Sequence, residues 1–166
     1  SGATKSLWFF NANTGFAVGE MGNAYYTTDA GVTWTSNFSW GTSFNNMEDV
    51  YFVNNSTGYI AGERGRFIKT SDGGLTWDST GIDGPSLNTI WEMDWLNAST
   101  GYMASTNGNI FKSTNSGANW SLLSDTAGLA GVDIIDIEVI DTGRGFAVGE
   151  QGKLFKQFSQ SQWVVE

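Results

Sequence analysis

The sequence contains neither cysteine nor histidine, and its one proline is Pro85. Without those two residue types the chain has no Ser-His-Asp triad, no cysteine nucleophile and no zinc site of the usual His/Cys type. Disulfide bonds are excluded for the same reason. Because most familiar hydrolase chemistry is ruled out, the sequence predicts a protein that is not an enzyme and that uses no cofactor and no metal.

Basic residues are also scarce, since 8 lysines and arginines stand against 17 acids and give a net charge of −9. An acidic surface repels phosphate, so nucleic acid and anionic membrane surfaces are excluded as partners. No run of about 18 apolar residues is present, so no membrane insertion is predicted. We expect a protein partner or self-assembly, with a glycan as the alternative ligand. The few lysines and many Asn, Ser, Thr and Gly favour a secreted location or a cell or virion surface, with the cytoplasm as the remaining alternative.

Glycine and aromatic residues, in contrast, are plentiful and recur with a fixed period. Glycines at positions 15, 58, 101 and 145 open matching segments, and tryptophans at 34, 77, 120 and 163 close them at a constant step of 43 residues. Each copy holds short apolar runs separated by glycine, asparagine and threonine, which is typical of strands. Four antiparallel strands in about 40 to 50 residues make one propeller blade.

The sequence therefore predicts an all-β fold, a β-propeller of four four-stranded antiparallel blades in a single domain, 1–166. The blades are expected at about 5–40, 46–80, 89–124 and 133–166. Strand A of each copy is predicted at 7–10, 50–53, 93–96 and 137–140. Strand B follows the first glycine, strand C is expected at 67–70 in the second copy, and strand D contains the tryptophan.

The turn between strands C and D has the pattern Ser/Thr-x-Asp-x-Gly-x-Thr-Trp. Segments 27–34 and 70–77 fit it, 113–120 has asparagine in place of aspartate, and 157–163 keeps only the tryptophan. We expect the aspartate to accept hydrogen bonds from amides of its own loop, the glycine to adopt a positive φ, and the tryptophan to bury its ring. The residues with this structural role are Asp29, Gly31, Trp34, Asp72, Gly74, Trp77, Asn115, Gly117, Trp120 and Trp163.

These turns resemble the Asp-box, or bacterial neuraminidase (BNR), repeat. The longer segment from Gly58 to Trp77 is similar to the photosystem II stability/assembly factor-like propeller family, and the resemblance extends over essentially the whole chain. It implies a propeller fold and, as a function, a role in photosystem-type assembly. Asp-box sialidases use an arginine triad spread over several blades, whereas Arg64 and Arg66 share one turn here. The resemblance therefore implies the fold and not sialidase chemistry.

Each copy begins with strand A and ends with strand D. Neither end of the chain has an extra strand that would complete a shared blade, so the sequence does not indicate how the blades close. Three arrangements stay open: a closed four-bladed propeller, half of an eight-bladed ring made by a dimer, and an open segment of a larger propeller. An open segment would expose apolar blade faces for assembly.

Acidic residues recur at matching positions of the A strands. Residues two apart on a strand face the same way, and strand A is the innermost strand of a propeller blade, so these side chains should gather around the axis. Three interpretations are open: a water-filled channel mouth, a site for a cation or basic ligand, and a glycosidase pair with carboxyls about 5 to 10 Å apart. The candidate ligand-binding residues are Asp49, Tyr51, Glu92, Asp94, Asp136 and Glu138.

Several aromatic residues lie outside the repeat pattern. Phe38, Trp40 and Phe44 follow the first tryptophan turn, and Trp91 has no aromatic equivalent in the other copies. Such residues suit packing between blades or contact with a protein or glycan. We treat them as a candidate interaction loop.

These patterns together predict a non-catalytic structural or protein-interaction module, secreted or surface-exposed, that binds a protein or assembles with itself. One alternative is a carbohydrate-binding or glycoside-hydrolysing propeller that uses the axial carboxylates. The other is the assembly-factor role that the resemblance implies.

Overall fold

Short apolar strands joined by tight turns pair into four separate sheets, as the repeat predicts. The computed structural model describes residues 2–39, 45–79, 88–123, 131–157 and 163–165. Each sheet has four strands in chain order, and every pairing is antiparallel. We call the sheets blades 1 to 4. The strands are β1 (Thr4–Phe9), β2 (Gly15–Gly19), β3 (Asn23–Thr27) and β4 (Thr35–Ser39); β5 (Met47–Phe52), β6 (Gly58–Gly62), β7 (Phe67–Thr70) and β8 (Asp78–Ser79); β9 (Ile90–Trp95), β10 (Gly101–Ser105), β11 (Ile110–Ser113) and β12 (Ser121–Leu122); β13 (Ile134–Asp141), β14 (Arg144–Gly149), β15 (Lys153–Gln157) and β16 (Trp163–Val165).

Two strand boundaries differ from the sequence prediction. The inner strands β1, β5, β9 and β13 begin three residues before the predicted starts, because their first residues also pair with strand B. The fourth strand contains the tryptophan only in blade 4, and in the other blades it begins after the tryptophan. In those blades the tryptophan still belongs to the turn that it closes.

The repeated glycine at the start of strand B makes room for an aromatic ring. Gly58 pairs directly with Phe52, and Gly101 pairs directly with Trp95. A Cβ atom at Gly58 would lie 2.4 Å from the Phe52 ring, and one at Gly101 would lie 2.6 Å from the Trp95 ring. The ring of strand A therefore lies across bare backbone, which explains why this glycine recurs.

The turns that precede the fourth strand are held by side-chain hydrogen bonds. The Thr76 amide donates to Asp72 Oδ1 at 2.9 Å and the Thr76 hydroxyl to Asp72 Oδ2 at 2.6 Å. These hydrogen bonds lower the pKa of Asp72 to about 2, and the bond from the Thr76 hydroxyl has the largest effect. Asn115 takes the same place in blade 3, where its Oδ1 accepts the Asn119 amide at 2.9 Å. The turn glycines Gly31, Gly74 and Gly117 have φ values of 81°, 89° and 75°.

Consecutive blades pack face to face, and the apolar core lies between them in three clusters. The face of a blade that packs on the following blade is called its forward face, and the opposite one its backward face. The inner strands of neighbouring blades lie side by side, in the order β1, β5, β9, β13. Within the described residues β13 does not pack against β1, so the sheets are not closed into a ring. The closed four-bladed arrangement is therefore not the one that the chain adopts here.

A glycine pair tests how closely the turn of blade 3 packs on blade 2. Gly117 and Gly152 both have positive φ, 75° and 70°. A Cβ atom at Gly117 would lie 2.9 Å from Phe67, whereas one at Gly152 would have no atom within 4 Å. Both alanine variants carry backbone strain of about 1 kcal/mol. The free energy of unfolding of Gly117→Ala should fall by about 1 to 3 kcal/mol more than that of Gly152→Ala, because the new methyl group also overpacks the junction.

The measurement is the free energy of unfolding from denaturant titrations of both variants, with Gly152→Ala as the matched control. Equal losses for the two variants would mean that the turn does not press on Phe67.

Candidate functional site

The inner strands of the four blades line an open axial groove of about 260 Å³. Five of the six residues predicted to form a ligand site lie on its walls, and Asp136 joins them through a hydrogen bond with Glu92. Tyr51 is half-buried, and its ring centroid is 5.0 Å from that of Trp8. The polar residues that line the groove are Ser6, Asp49, Tyr51, Glu92, Asp94 and Glu138.

The carboxylates of the groove hold the backbone of the next blade. Glu92 Oε2 accepts the Ile137 amide at 2.9 Å, and Asp94 Oδ2 accepts the Val139 amide at 2.6 Å. Both acids belong to β9 of blade 3, and both amides belong to β13 of blade 4. The acids therefore satisfy polar groups on the exposed edge of the following inner strand.

The same contact recurs at the other two junctions. Asp49 Oδ2 accepts the Met93 amide at 2.9 Å, which ties blade 2 to blade 3. In blade 1 a hydroxyl takes the place of the acid, because Ser6 Oγ accepts the Val50 amide at 3.3 Å. The Ser6 hydroxyl in turn donates to Asp49 Oδ1 at 2.8 Å. We call this repeated contact the junction bond.

Burial changes the ionisation of two of these acids. Desolvation raises the pKa of Asp49 to about 6 in spite of the hydrogen bonds that it accepts. Burial also raises the pKa of Glu92, and the hydrogen bond and charge of Asp136 act in the same direction. The raised pKa favours the protonated form of Glu92, which can donate a hydrogen bond to Asp136 across the junction of blades 3 and 4.

Asp136 and Glu138 lie on the last inner strand, at the open edge of the groove. Both residues are exposed. In the described ranges no backbone amide donates to either carboxylate. They are the repeat equivalents of Glu92 and Asp94, so the junction bonds stop where the blades stop.

Most of the predicted interaction loop falls outside the described residues. Trp40 and Phe44 lie there, and of Phe38 only the backbone in β4 is described. Trp91 is half-buried on β9, and its indole N–H is buried without a hydrogen-bond partner in the described part of the chain. The loop therefore stays a prediction, and Trp91 belongs to β9 of blade 3.

The end blades carry two open and mainly apolar faces, which the sequence predicts for an open array without identifying their residues. The open backward face of blade 1 comprises Leu7, Phe9, Tyr25 and Trp34, and the open forward face of blade 4 comprises Glu138, Ile140, Phe146, Val148 and Leu154. A signal was present in the repeat alignment. Apart from Glu138, these positions are apolar in the end copies as they are in the inner ones, whereas a terminal repeat that caps an array has a polar outer face.

Two kinds of site are absent from the part of the chain that the structure describes. No group of three or more acidic, histidine or cysteine side chains is placed to hold a metal ion. In those same segments no helix combines the length and the hydropathy needed to cross a membrane.

Comparison with known proteins finds relatives in structure and not in sequence. No protein-family profile matches the chain, and no curated protein matches it. YCF48 from Cyanidioschyzon merolae matches with a TM-score of 0.75 at 18% identity, over 99% of this chain and 56% of that one. A structure of YCF48 bound to D1 peptide matches with a TM-score of 0.69 at 18% identity, over 98% and 68%. An ancestral GH74 enzyme matches with a TM-score of 0.75 at 16% identity, over 98% and 25%.

At such low identity these likenesses show the fold alone. The chain is an open array of four β-propeller blades. It spans about half to two thirds of the two YCF48 chains and a quarter of the GH74 enzyme.

The Glu92–Asp136 pair predicts a dependence of stability on pH. The pKa of Glu92 is raised on folding, so its contribution to stability is complete below its ordinary value and is lost as pH rises through the raised value. Glu92→Gln keeps an acceptor for the Ile137 amide and a donor for Asp136 but does not ionise. It should be more stable than the wild type by about 1 kcal/mol near pH 8, after allowance for solvent screening, and by less near pH 5.

Denaturant unfolding of both proteins across this pH range measures the difference, with Glu150→Gln on an exposed turn as the control. A Glu92→Gln effect that does not change with pH would show that Glu92 is ionised throughout.

Proposed function

We propose that the chain is a non-catalytic protein-interaction module, in which the axial acids join blades and the faces of the end blades bind protein. The observation that carries the proposal is that Asp49, Glu92 and Asp94 hold neighbouring blades together. Each accepts a backbone amide of the next blade at 2.6 to 2.9 Å. A carboxylate committed in this way supports the framework and is poorly placed to attack or protonate a substrate.

The open faces support an interaction role. A monomeric protein seldom exposes a large contiguous apolar patch, and such patches mark sites of interaction with other molecules. Here one sheet face is exposed at each end of the array. On the face of blade 1, the rings of Phe9 and Trp34 are in edge-to-face contact, with 6.1 Å between their centroids. Association through these faces, including association of the chain with itself, is part of the proposal.

The structural likenesses supply the two rival functions. YCF48 bound to D1 peptide is a propeller with a peptide partner, which favours a protein partner for this chain and is also the basis of an assembly-factor role. The GH74 enzyme is the basis of the glycoside-hydrolysing alternative. We favour the first class of function because three of the five central acids are engaged by backbone amides.

Two finer assignments follow from composition and motif. The turns held by Asp29, Asp72 and Asn115 support placing the chain among the Asp-box proteins. The few lysines and many small polar residues support a secreted or surface-exposed location.

Substitution of Asp94 separates the structural role from a catalytic one. Asp94→Ala leaves the buried Val139 amide without its acceptor, so it should lower the free energy of unfolding by about 1 to 3 kcal/mol. Asp94→Asn keeps an acceptor oxygen and should lose less than half of that. Asp78→Ala, in the outermost strand of blade 2, is the control and should have little effect.

The same proteins should be assayed for binding and hydrolysis of a panel of neutral polysaccharides. The proposal expects none in the wild type. Hydrolysis or binding by the wild type that disappears in a fully folded Asp94→Asn variant would establish the carbohydrate function instead.

A further inference from the structure

We propose that a second copy of this chain covers both open faces, so that two copies join head to tail in an eight-bladed ring. The inference rests on the proposed interaction role and names the partner. It follows from the repeat itself, because the internal junctions show what each open face is shaped to contact.

The open forward face of blade 4 repeats the forward faces that are buried inside the chain. Phe146 is 40% exposed, whereas its equivalents Phe16, Tyr59 and Tyr102 are fully buried against the following blade. Two further residues of blade 4 are exposed where their equivalents are buried. Val148 is exposed, whereas its equivalents Val18, Ala61 and Ala104 are buried. Leu154 is exposed, whereas its equivalents Ala24, Phe67 and Ile110 are buried.

The open backward face of blade 1 is the matching surface. Leu7 is 60% exposed, whereas its equivalents Val50, Met93 and Ile137 are buried against the preceding blade. The same contrast holds for Phe9, which is 40% exposed, since its equivalents Phe52, Trp95 and Val139 are buried. It holds in part for Trp34, which is 38% exposed, since its equivalents Trp120 and Trp163 are buried and Trp77 is half-buried. Blade 4 thus presents a surface to which blade 1 of another copy supplies the complement.

Polar groups at the two ends complete the junction bond. Val50, Met93 and Ile137 donate their amides to Ser6, Asp49 and Glu92 of the preceding blade. By the same repeat positions, the Leu7 amide of one copy is the donor for Asp136 of the other. The Val139 amide, which donates to Asp94, has its equivalent at Phe9, whose acceptor is Glu138. Asp136 keeps its hydrogen bond with Glu92, but Asp136 and Glu138 both lack the backbone amide donors that a second copy carries.

The number of copies follows from geometry. A head-to-tail contact makes a closed ring when its rotation closes and a filament when it does not. Propellers have about four to eight blades. Since one copy is open, two copies are the only multiple within that range. The ring would have two identical junctions, each between blade 4 of one copy and blade 1 of its partner.

Light scattering behind a sizing column tests this assembly from micromolar to millimolar concentrations. We expect a dimer of about 36 kDa in place of the 18.0 kDa monomer. Leu154→Asp should give the monomer, because it places a charge on the open forward face. Leu122→Asp is the matched control, since Leu122 is 44% exposed and Leu154 43%, but Leu122 lies on the outermost strand of blade 3. It should leave the dimer intact.

Complementation tests the head-to-tail arrangement. Leu7→Asp blocks the backward face and Leu154→Asp the forward face, so each variant alone should be a monomer. A mixture keeps one sound junction and should form a heterodimer. Monomers alone and in the mixture would contradict this arrangement.

The polar part of the junction has its own test. Glu138→Ala removes the acceptor for the partner's Phe9 amide and should weaken dimerisation about tenfold or more, since the loss occurs at both junctions. Glu138→Gln keeps an acceptor oxygen and should weaken it less. Equal dissociation constants for the two variants and the wild type would show that this bond is not made.

The possible failures are distinguishable. A wild-type chain that stays monomeric at millimolar concentration, or that grows beyond two copies, overturns the ring and leaves the interaction role in place. Hydrolysis of a glycan by a dimer overturns the interaction role and leaves the ring in place.

Discussion

The structure depends on one repeated constraint: the inner strand of each blade has an exposed edge, and a side chain of the preceding blade must satisfy its amides. An unpaired strand edge in a narrow groove would leave N–H groups without partners, which is costly. Ser6, Asp49 and Glu92 remove that cost at the three junctions. Asp49 and Glu92 are therefore parts of the framework, and their raised pKa values are a consequence of that position.

The same junctions bury the apolar core. A single blade has two apolar faces and can cover neither alone, so stability is shared between neighbours as in other repeat proteins. Phe52 and Tyr59 of blade 2 are almost fully buried because a blade stands on each side of blade 2. Their repeat equivalents in the end blades, Phe9 and Phe146, are exposed because no further blade covers them. Polar bonds and apolar burial therefore stop at the same two surfaces.

Much of this architecture could be predicted from the sequence, because a period of 43 residues fixes the number of blades and the order of strands. Strand β7 matches its prediction residue for residue, and the turn at Asp72 has the predicted hydrogen bond. Two features could not be obtained in this way. The alternation of a strand tells which residues share a face and not what they contact across a junction. The sequence therefore predicts Glu92 as a groove residue but does not show its bond with the Ile137 amide. Closure was also undetermined, because it depends on small rotations between blades that no local pattern encodes.

Residue-resolved amide hydrogen exchange by NMR tests the central claim most directly. The amides of Met93 and Ile137 bond to carboxylates of the preceding blade. If the junction bonds hold the blades together, these amides exchange as slowly as those paired inside the sheets, because they open only when a junction opens. If they exchange as fast as amides on a free strand edge, the carboxylates do not join the blades and the account is wrong.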